Sequence, residues 1–494
     1  MPAPAWAVFS RRRESHEIMT DPLKIRLVET QAFERRVRLR LPFRFGAATL
    51  REARQAFLRV RIEDAAGRSM VGMAAELMVP KWFDKSPELT NADNENQLRR
   101  SLALALDALS AAGGGTAFGL HTDVEKGHHA RAAAEGLNGL VASFGLALGN
   151  RAILDALCRL QGSSVAKAVN ANLPGIDTAT TPDLEGFDLA AFLSGLKPAE
   201  TIAARHTVGL VDAITAGEAS TGERPNDGLP ESLEEAIDAY GLTFFKVKVS
   251  GDLDADIDRL GRIADLLDAK VGSYSVTLDG NEQFASAEGV GELLARIRAR
   301  PNLEQFARSV LFVEQPIARA QAFEKSVAAL AAFKPVEIDE SDATMDAFVT
   351  ARGLGYTGIS SKSCKGLYRS LLNRARVEYW NAEKGPTYFM SAEDLTTQGG
   401  LAVQQDLALA SLIGMTHVER NGHHYVDGMA GAPEAEQTAF ARAHADLYRT
   451  QDGRTRLRIE KGRMAIGSVI AAPGLGSAVE PDWNAMTPMS GGGH

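Results

Sequence analysis

Cysteine is almost absent from this chain of 494 residues, which carries only Cys158 and Cys364. With no CxxC pair and no Cys/His zinc spacing, a disulfide framework and a cysteine zinc site are both excluded. A net positive charge is missing as well. The formal charge of −9 argues against nucleic acid or an anionic membrane as partner, because either would be repelled by such a surface. No uninterrupted apolar run reaches the roughly 18 residues of a membrane span. The N-terminal stretch MPAPAWAVFSRRRESHEIMTDP places its apolar residues before its arginines, the reverse of a secretory signal. These absences predict a cytoplasmic protein. Residues 1–23 are expected to be a disordered leader, with Met1 or Met19 as the start.

What is present is ordinary globular composition, 45% hydrophobic and 24% charged, in a chain long enough for more than one domain. Residues 24–78 alternate apolar with charged positions and read as strands, with a hairpin turn at Asp64–Gly67. From 92 to 165 the period changes to that of helices. Together, residues 24–165 predict an α+β capping domain. Residues 166–206, with Pro174, Pro182 and Gly186, read as an insertion or linker. From 207 to 430, eight strand-like runs alternate with helices: TVGLVDAI, TFFKVKVS, YSVTLDGN, VLFVEQPI, PVEIDES, YTGISSKS, TYFMSAED and THVERNG. That alternation predicts an α/β fold, a modified TIM barrel of (β/α)7β type. Residues 431–494 return to strand and turn character and are expected to pack back on the capping domain.

Barrel strands alternate between interior and helix layer, so apolar outward residues fix the parity of each strand. Outward Val276 and Leu278 turn Thr277, Asp279 and Asn281 inward. Outward Val313 turns Glu314 inward. Outward Val336 and Ile338 turn Asp339 inward and leave Glu340 outside. Outward Ile359 turns Ser360 and Lys362 inward, whereas Lys365 has the wrong parity and is expected at the periphery. In FFKVKVS, Lys246 and Lys248 share one face. Three carboxylates at adjacent strand ends repel one another unless a cation binds them. All-oxygen ligation favours Mg²⁺, with Mn²⁺ as a substitute. Strands two and six lie opposite in an eight-stranded ring, so Lys248 and Lys362 face each other across the pocket. Two bases flanking a metal-bound carboxylate suit abstraction of its α-proton, giving a metal-stabilised enediolate. Lys248 is assigned as base, and Lys246 as its electrostatic tuner. The barrel strands offer no inward histidine of the kind a generic metallohydrolase uses.

These stretches, FKVKV (245–249), LDGN (278–281), VEQP (313–316), IDES (338–341), SKSCKG (361–366) and PGLGSAVEPD (473–482), resemble the enolase superfamily, in its muconate-lactonising (muconate cycloisomerase-like) branch. The resemblance runs from about residue 24 to 483. It implies Asp279, Glu314 and Asp339 as Mg²⁺ ligands, Lys248 and Lys362 as opposed acid/base residues, and Asn281 and Glu393 as partners behind them. It also implies a small-molecule carboxylate substrate and a homo-oligomer. The expected activity is that of an isomerase, a racemase/epimerase or a cycloisomerase. The alternatives are a lyase (a dehydratase similar to o-succinylbenzoate synthase) and a barrel that only binds a ligand. In this family capping-domain loops set specificity. By that resemblance Arg44 and Lys81 meet a further anionic group, and Trp82, with Phe43, Phe45 and Phe83, meets an apolar body. The sequence departs from the family at KGLYRS, where a Gly-Gly is usual. The pair His423–His424 reads as a surface pair, with substrate contact as the alternative.

Overall fold

The computed structural model describes residues 22–46, 48–219, 225–395 and 397–493. Most of the expected leader, including Met19, lies outside the described residues. The chain opens with a long antiparallel meander, β1 (Ile25–Phe45), β2 (Ala48–Asp64) and β3 (Ser69–Met78). The β2–β3 turn is built by Asp64, whose Oδ1 accepts from the Ala66 and Arg68 amides at 3.0 and 2.9 Å, with Gly67 at φ +78°. Three helices cover the sheet: α1 (Asn91–Ala111), α2 (Ala117–Ala134) and α3 (Gly139–Leu160). Thr90 and Asp93 form a capping box at the start of α1. Helix α3 lies so close to β3 that a Cβ on Gly72 would fall 2.2 Å from the Ala152 carbonyl oxygen. By length and composition α3 could cross a membrane, yet its apolar window is wholly buried here. Two of its polar residues are paired inside the core, Arg151 with Glu76 at 3.0 Å and Asp155 with Arg159 at 2.7 Å.

The second domain is the barrel. Its strands are β4 (Thr201–Val208), β5 (Phe244–Lys248), β6 (Ser275–Asp279), β7 (Val310–Glu314), β8 (Val336–Ile338), β9 (Gly358–Ser361), β10 (Phe389–Ala392) and β11 (His417–Arg420). Strands β4 to β10 pair in chain order and β11 pairs with β4, all in parallel. Between β10 and β11 the connection is made by side chains, Asp394 N donating to Glu419 Oε2 at 3.0 Å and Asn421 N to Asp394 Oδ2 at 2.9 Å. The architecture is therefore the expected (β/α)7β barrel under an α+β cap.

Two boundaries differ from the sequence reading. The first barrel strand begins at Thr201, ahead of the expected 207, and it carries Arg205 and His206 fully inside. Buried polar residues masked its strand character. The 166–206 segment is also no free linker. Helices Val165–Asn170 and Leu189–Gly195 fold there, and Asp183 takes a bidentate bond from Arg376, both contacts at 2.8 Å, which fastens the segment to the barrel. At the far end, β12 (Arg463–Ala465) pairs with β4, and β13 (Thr487–Gly493) pairs with β1.

Candidate active site

The register of the parallel strands sets Lys248 beside Asp279, Asp279 beside Glu314, and Glu314 beside Glu337. Because side chains alternate, these carboxylates and lysines project into the barrel at its C-terminal end. Lys246 Nζ sits at the centre, 2.9 Å from Asp279, 2.7 Å from Glu314, 2.7 Å from Glu393 and 3.1 Å from Glu419. Lys248 Nζ donates to Asp279 Oδ2 at 2.5 Å, and Lys362 Nζ to Asp339 Oδ2 at 2.5 Å. An aromatic ring of the cap lies over each outer lysine: Phe43 is 6.0 Å from Lys248 Nζ, and Trp82 is 4.3 Å from Lys362 Nζ.

Electrostatics divide this cluster. Burial opposes charge on Lys246, but the four surrounding carboxylates hold it well above the usual lysine range. Lys362 is likewise held above that range against its burial, chiefly by Asp339. Burial opposes ionisation of Asp279 and Asp339 too, but their lysines keep both below the ordinary carboxylate range. Glu314 and Glu337 go the other way. Burial and neighbouring carboxylates push both well above it.

Glu314, Glu337 and Glu393 bring a ligand oxygen apiece within 4.8 Å of one another. Glu337 Oε2 has no hydrogen-bond partner among the described residues. Buried and all-oxygen, this group fits a hard divalent ion. It shares only Glu314 with the set expected from sequence; lysines engage Asp279 and Asp339, and Lys246 engages Glu314 and Glu393 as well.

Asn281 stands at the rim, its backbone amide donating to Asp279 Oδ1 at 2.8 Å. Its φ of +40°, with +69° at Glu282 and +30° at Gln315, marks backbone strain concentrated at this rim. Glu393 stands directly in the cluster rather than behind it, accepting from Lys246 and Ser391 and pairing with Arg205. Lys365, expected at the periphery, is buried. Its Nζ bonds to Ser360 O at 2.7 Å and lies 3.3 Å from Asp339 Oδ1. The short 3-10 turn Ser363–Lys365 ends the period-two rule on which its parity rested.

Arg44 is exposed, since Phe43 and Phe45 on either side of it turn inward. Lys81 is spent on its own loop, where Nζ donates to the Ser86 and Leu89 carbonyls. Trp82 does reach the mouth, and it is fastened there. Arg319 donates to the Trp82 and Phe83 carbonyls at 2.9 and 3.0 Å while Glu282 grips its guanidinium at 2.8 and 2.9 Å. Arg319→Ala is expected to cost about 2 kcal/mol, in the range for charge-assisted hydrogen bonds, and to raise deuterium uptake over residues 82–85. Unchanged exchange there would remove Arg319 from this role.

His423 and His424 are buried, which corrects the surface reading. His423 Nε2 is 3.0 Å from His206 Nδ1, and the His206 and His424 rings meet at 5.0 Å. Tyr240 OH donates to the His423 carbonyl, Arg40 donates to that of His424, and Arg420 and Asp227 add their charges. Arg449 and Arg456 stand across the small gap beside His423. Burial, then His424 and Arg420, push His423 down to about 3. Unfolded, the same group takes its proton near about 6.5, so its share of stability is present above that pH and is lost as pH falls toward 3. His423→Gln is expected to flatten the fall in Tm between pH 7 and 4. Parallel curves for the two proteins would refute this.

Reasoning from sequence passed over Glu337, Glu419, Arg205 and Arg319. Glu337 has the parity of Asp339, and Glu419 alternates with the outward Val418, so the period-two signal could have found both. Nothing local marks Arg205 or Arg319.

No family model matches the chain, and no curated protein matches it in sequence. Solved structures match it over nearly its whole length. An enolase from Bradyrhizobium complexed with magnesium and mandelic acid is 16% identical, with a TM-score of 0.58 over 94% of this chain and 97% of that one. A muconate lactonizing enzyme from Pseudomonas fluorescens complexed with muconolactone is 15% identical, with a TM-score of 0.58 over 93% and 98%. A dipeptide epimerase from Enterococcus faecalis complexed with Mg and the dipeptide L-Leu-L-Tyr is 14% identical, with a TM-score of 0.57 over 91% and 99%. The protein thus has the fold of enolase-superfamily members of the mandelate racemase/muconate lactonizing branch.

Proposed function

We propose that the protein is an enolase-superfamily isomerase that removes and returns the proton α to the carboxylate of a small molecule. The observation that carries this reading is that Lys248 and Lys362, from strands four places apart, line one small space at the barrel mouth together with Lys246 and Glu419. Lys248 Nζ has a single carboxylate partner among the described residues, and it is the group we assign to take the α-proton. Lys246, charged and central, adds positive potential where negative charge develops. Lys362, held protonated by Asp339, returns a proton to the opposite face. A lysine on each face supports a racemase, epimerase or cycloisomerase.

A divalent ion, Mg²⁺ by its donors or Mn²⁺ in its place, would be held by Glu314, with Glu337 and Glu393 or with Asp279 and Asp339 completing the set. Bound there, it supplies the charge that makes a proton beside a carboxylate acidic enough to remove. The lyase alternative uses the same first half-reaction and then expels a β-leaving group. The test is α-proton exchange in D₂O across N-acyl amino acids, dipeptides and hydroxy acids, with Mg²⁺ and with EDTA. Exchange with the substrate retained is expected, and it should vanish with EDTA. Loss of water would favour the lyase, and exchange indifferent to EDTA would sink the metal-assisted reading.

A further inference from the structure

The gap beside His423 shares no lining residue with the barrel mouth. It lies where a hairpin, Tyr448–Gln451 and Arg454–Leu457, packs on the turn that follows β11. Its volume is about 10 Å³, room for one water-sized occupant. Arg449 and Arg456 stand directly opposite each other in that hairpin. Like charges so placed destabilise a strand pair unless something offsets them. Asp427 offsets Arg456, accepting from its Nε at 2.7 Å. Arg449 has no carboxylate partner among the described residues, since Glu460, which feels its charge, is taken by Arg458 at 2.7 Å. Asp452 lies 3.7 Å from Arg456, and Asp427 lies 3.7 Å from Arg454. Arg449, Arg454 and Arg456 thus meet only Asp427 and Asp452, and a positive charge is left over.

The unpartnered polar atoms here are donors. Arg449 Nε and Arg456 Nη1 are buried without a hydrogen-bond partner, and guanidinium nitrogens only donate. His423 Nδ1 is a further atom of this kind. With His206 Nδ1 donating to His423 Nε2 across 3.0 Å, His423 carries its own proton on Nδ1 and donates as well. Burial raises the Tyr240 phenol while Arg449, Arg40 and Arg456 pull it down, so positive potential converges on this corner. A water amid such a set would turn its own protons toward donors. A monatomic anion accepts from every side.

We propose that this gap is a binding site for a monatomic, monovalent anion of the chloride type, held by Arg449, Arg456 and His423. Sulfate, phosphate and carboxylates exceed the space. Arg456 Nη2 also donates to the Asp227 carbonyl at 3.0 Å, and Asp227 takes Arg40 of β1 at 2.8 Å. The ion therefore fastens the hairpin to the barrel end and, through Arg40, to the cap.

The full chain is melted at constant ionic strength while chloride replaces gluconate. Tm is expected to rise by about 2–4 °C and then level off, as for a ligand at several times its dissociation constant. Arg449→Gln should lose that rise. In gluconate this variant should be no less stable than the wild type, because the charge it removes is not offset; in chloride it should be less stable. Lys461→Gln, which removes an exposed cation outside the gap, should keep the rise. Crystals grown with bromide should show an anomalous peak between Arg449 and Arg456, and should Arg449→Gln fail to fold, the wild-type melt and that peak decide. An equal rise in the wild type and Arg449→Gln, or one that never levels off, is a general salt effect and overturns the site. No rise means that water fills the gap, which overturns it too. A bromide peak without a chloride-dependent Tm is an adventitious ion only, and the proposal falls.

Discussion

Lys246→Met is expected to destabilise the protein by about 3–5 kcal/mol in EDTA, the range for stranding buried charge by removing its partner. The reason is geometric. One ammonium group, 1% exposed, lies within 3.1 Å of carboxylates from four strands or strand ends, Asp279, Glu314, Glu393 and Glu419. Without it, Glu314 and Glu393 keep their mutual repulsion and lose their nearest shared cation. Urea unfolding of the wild type and the variant, with and without Mg²⁺, measures the effect. Mg²⁺ should recover more stability in the variant than in the wild type, because the ion would take over part of the neutralisation. A cost below about 1 kcal/mol, the scale of an exposed pair, would mean that the cluster does not depend on this lysine.

The second large effect is catalytic. Lys248→Ala should lower α-proton exchange by about 10²–10⁴-fold, the usual contribution of a positioned acid or base, with little change in Tm. Lys248 touches a single carboxylate, whereas Lys246 binds four, so the two lysines of one strand face should separate cleanly: one loses rate, the other loses stability. Lys362→Ala should spare exchange from the face that Lys248 serves while abolishing conversion between stereoisomers. Equal loss of both activities in both variants would show that the lysines act as one electrostatic unit rather than as opposed acid and base.

Much of this was legible in sequence for a physical reason. The alternation of apolar runs with helical stretches is a long-range repeat, and it marked all eight barrel strands even though the first was set several residues late. The period-two rule turned Asp279, Glu314, Asp339 and Lys362 inward because bulky outward neighbours fixed each strand's parity. The rule failed where the strand ended. Lys365 sits in a 3-10 turn and did not obey it. Arg44 was assigned by resemblance alone, and parity with Phe43 and Phe45 sends it outward. Arg319 and Glu282 could not have been read at all, since what they hold is the backbone of a loop some two hundred residues away in the chain.

The capping sheet recruits its edge strand from the far end of the chain, with Phe33 beside Pro488 and Glu34 beside Thr487. Asp155 on α3 likewise receives the amide of Leu475 at 2.6 Å. During synthesis, then, the cap leaves the ribosome ahead of the barrel and is finished after it. Its sheet must wait, one edge unpaired, while the whole barrel is translated, and an open edge of that kind is what recruits wrong partners. The flank of β1 that β13 will cover is therefore where a chaperone has most to protect, and a chain arrested short of residue 473 would carry every barrel strand under an unsealed cap.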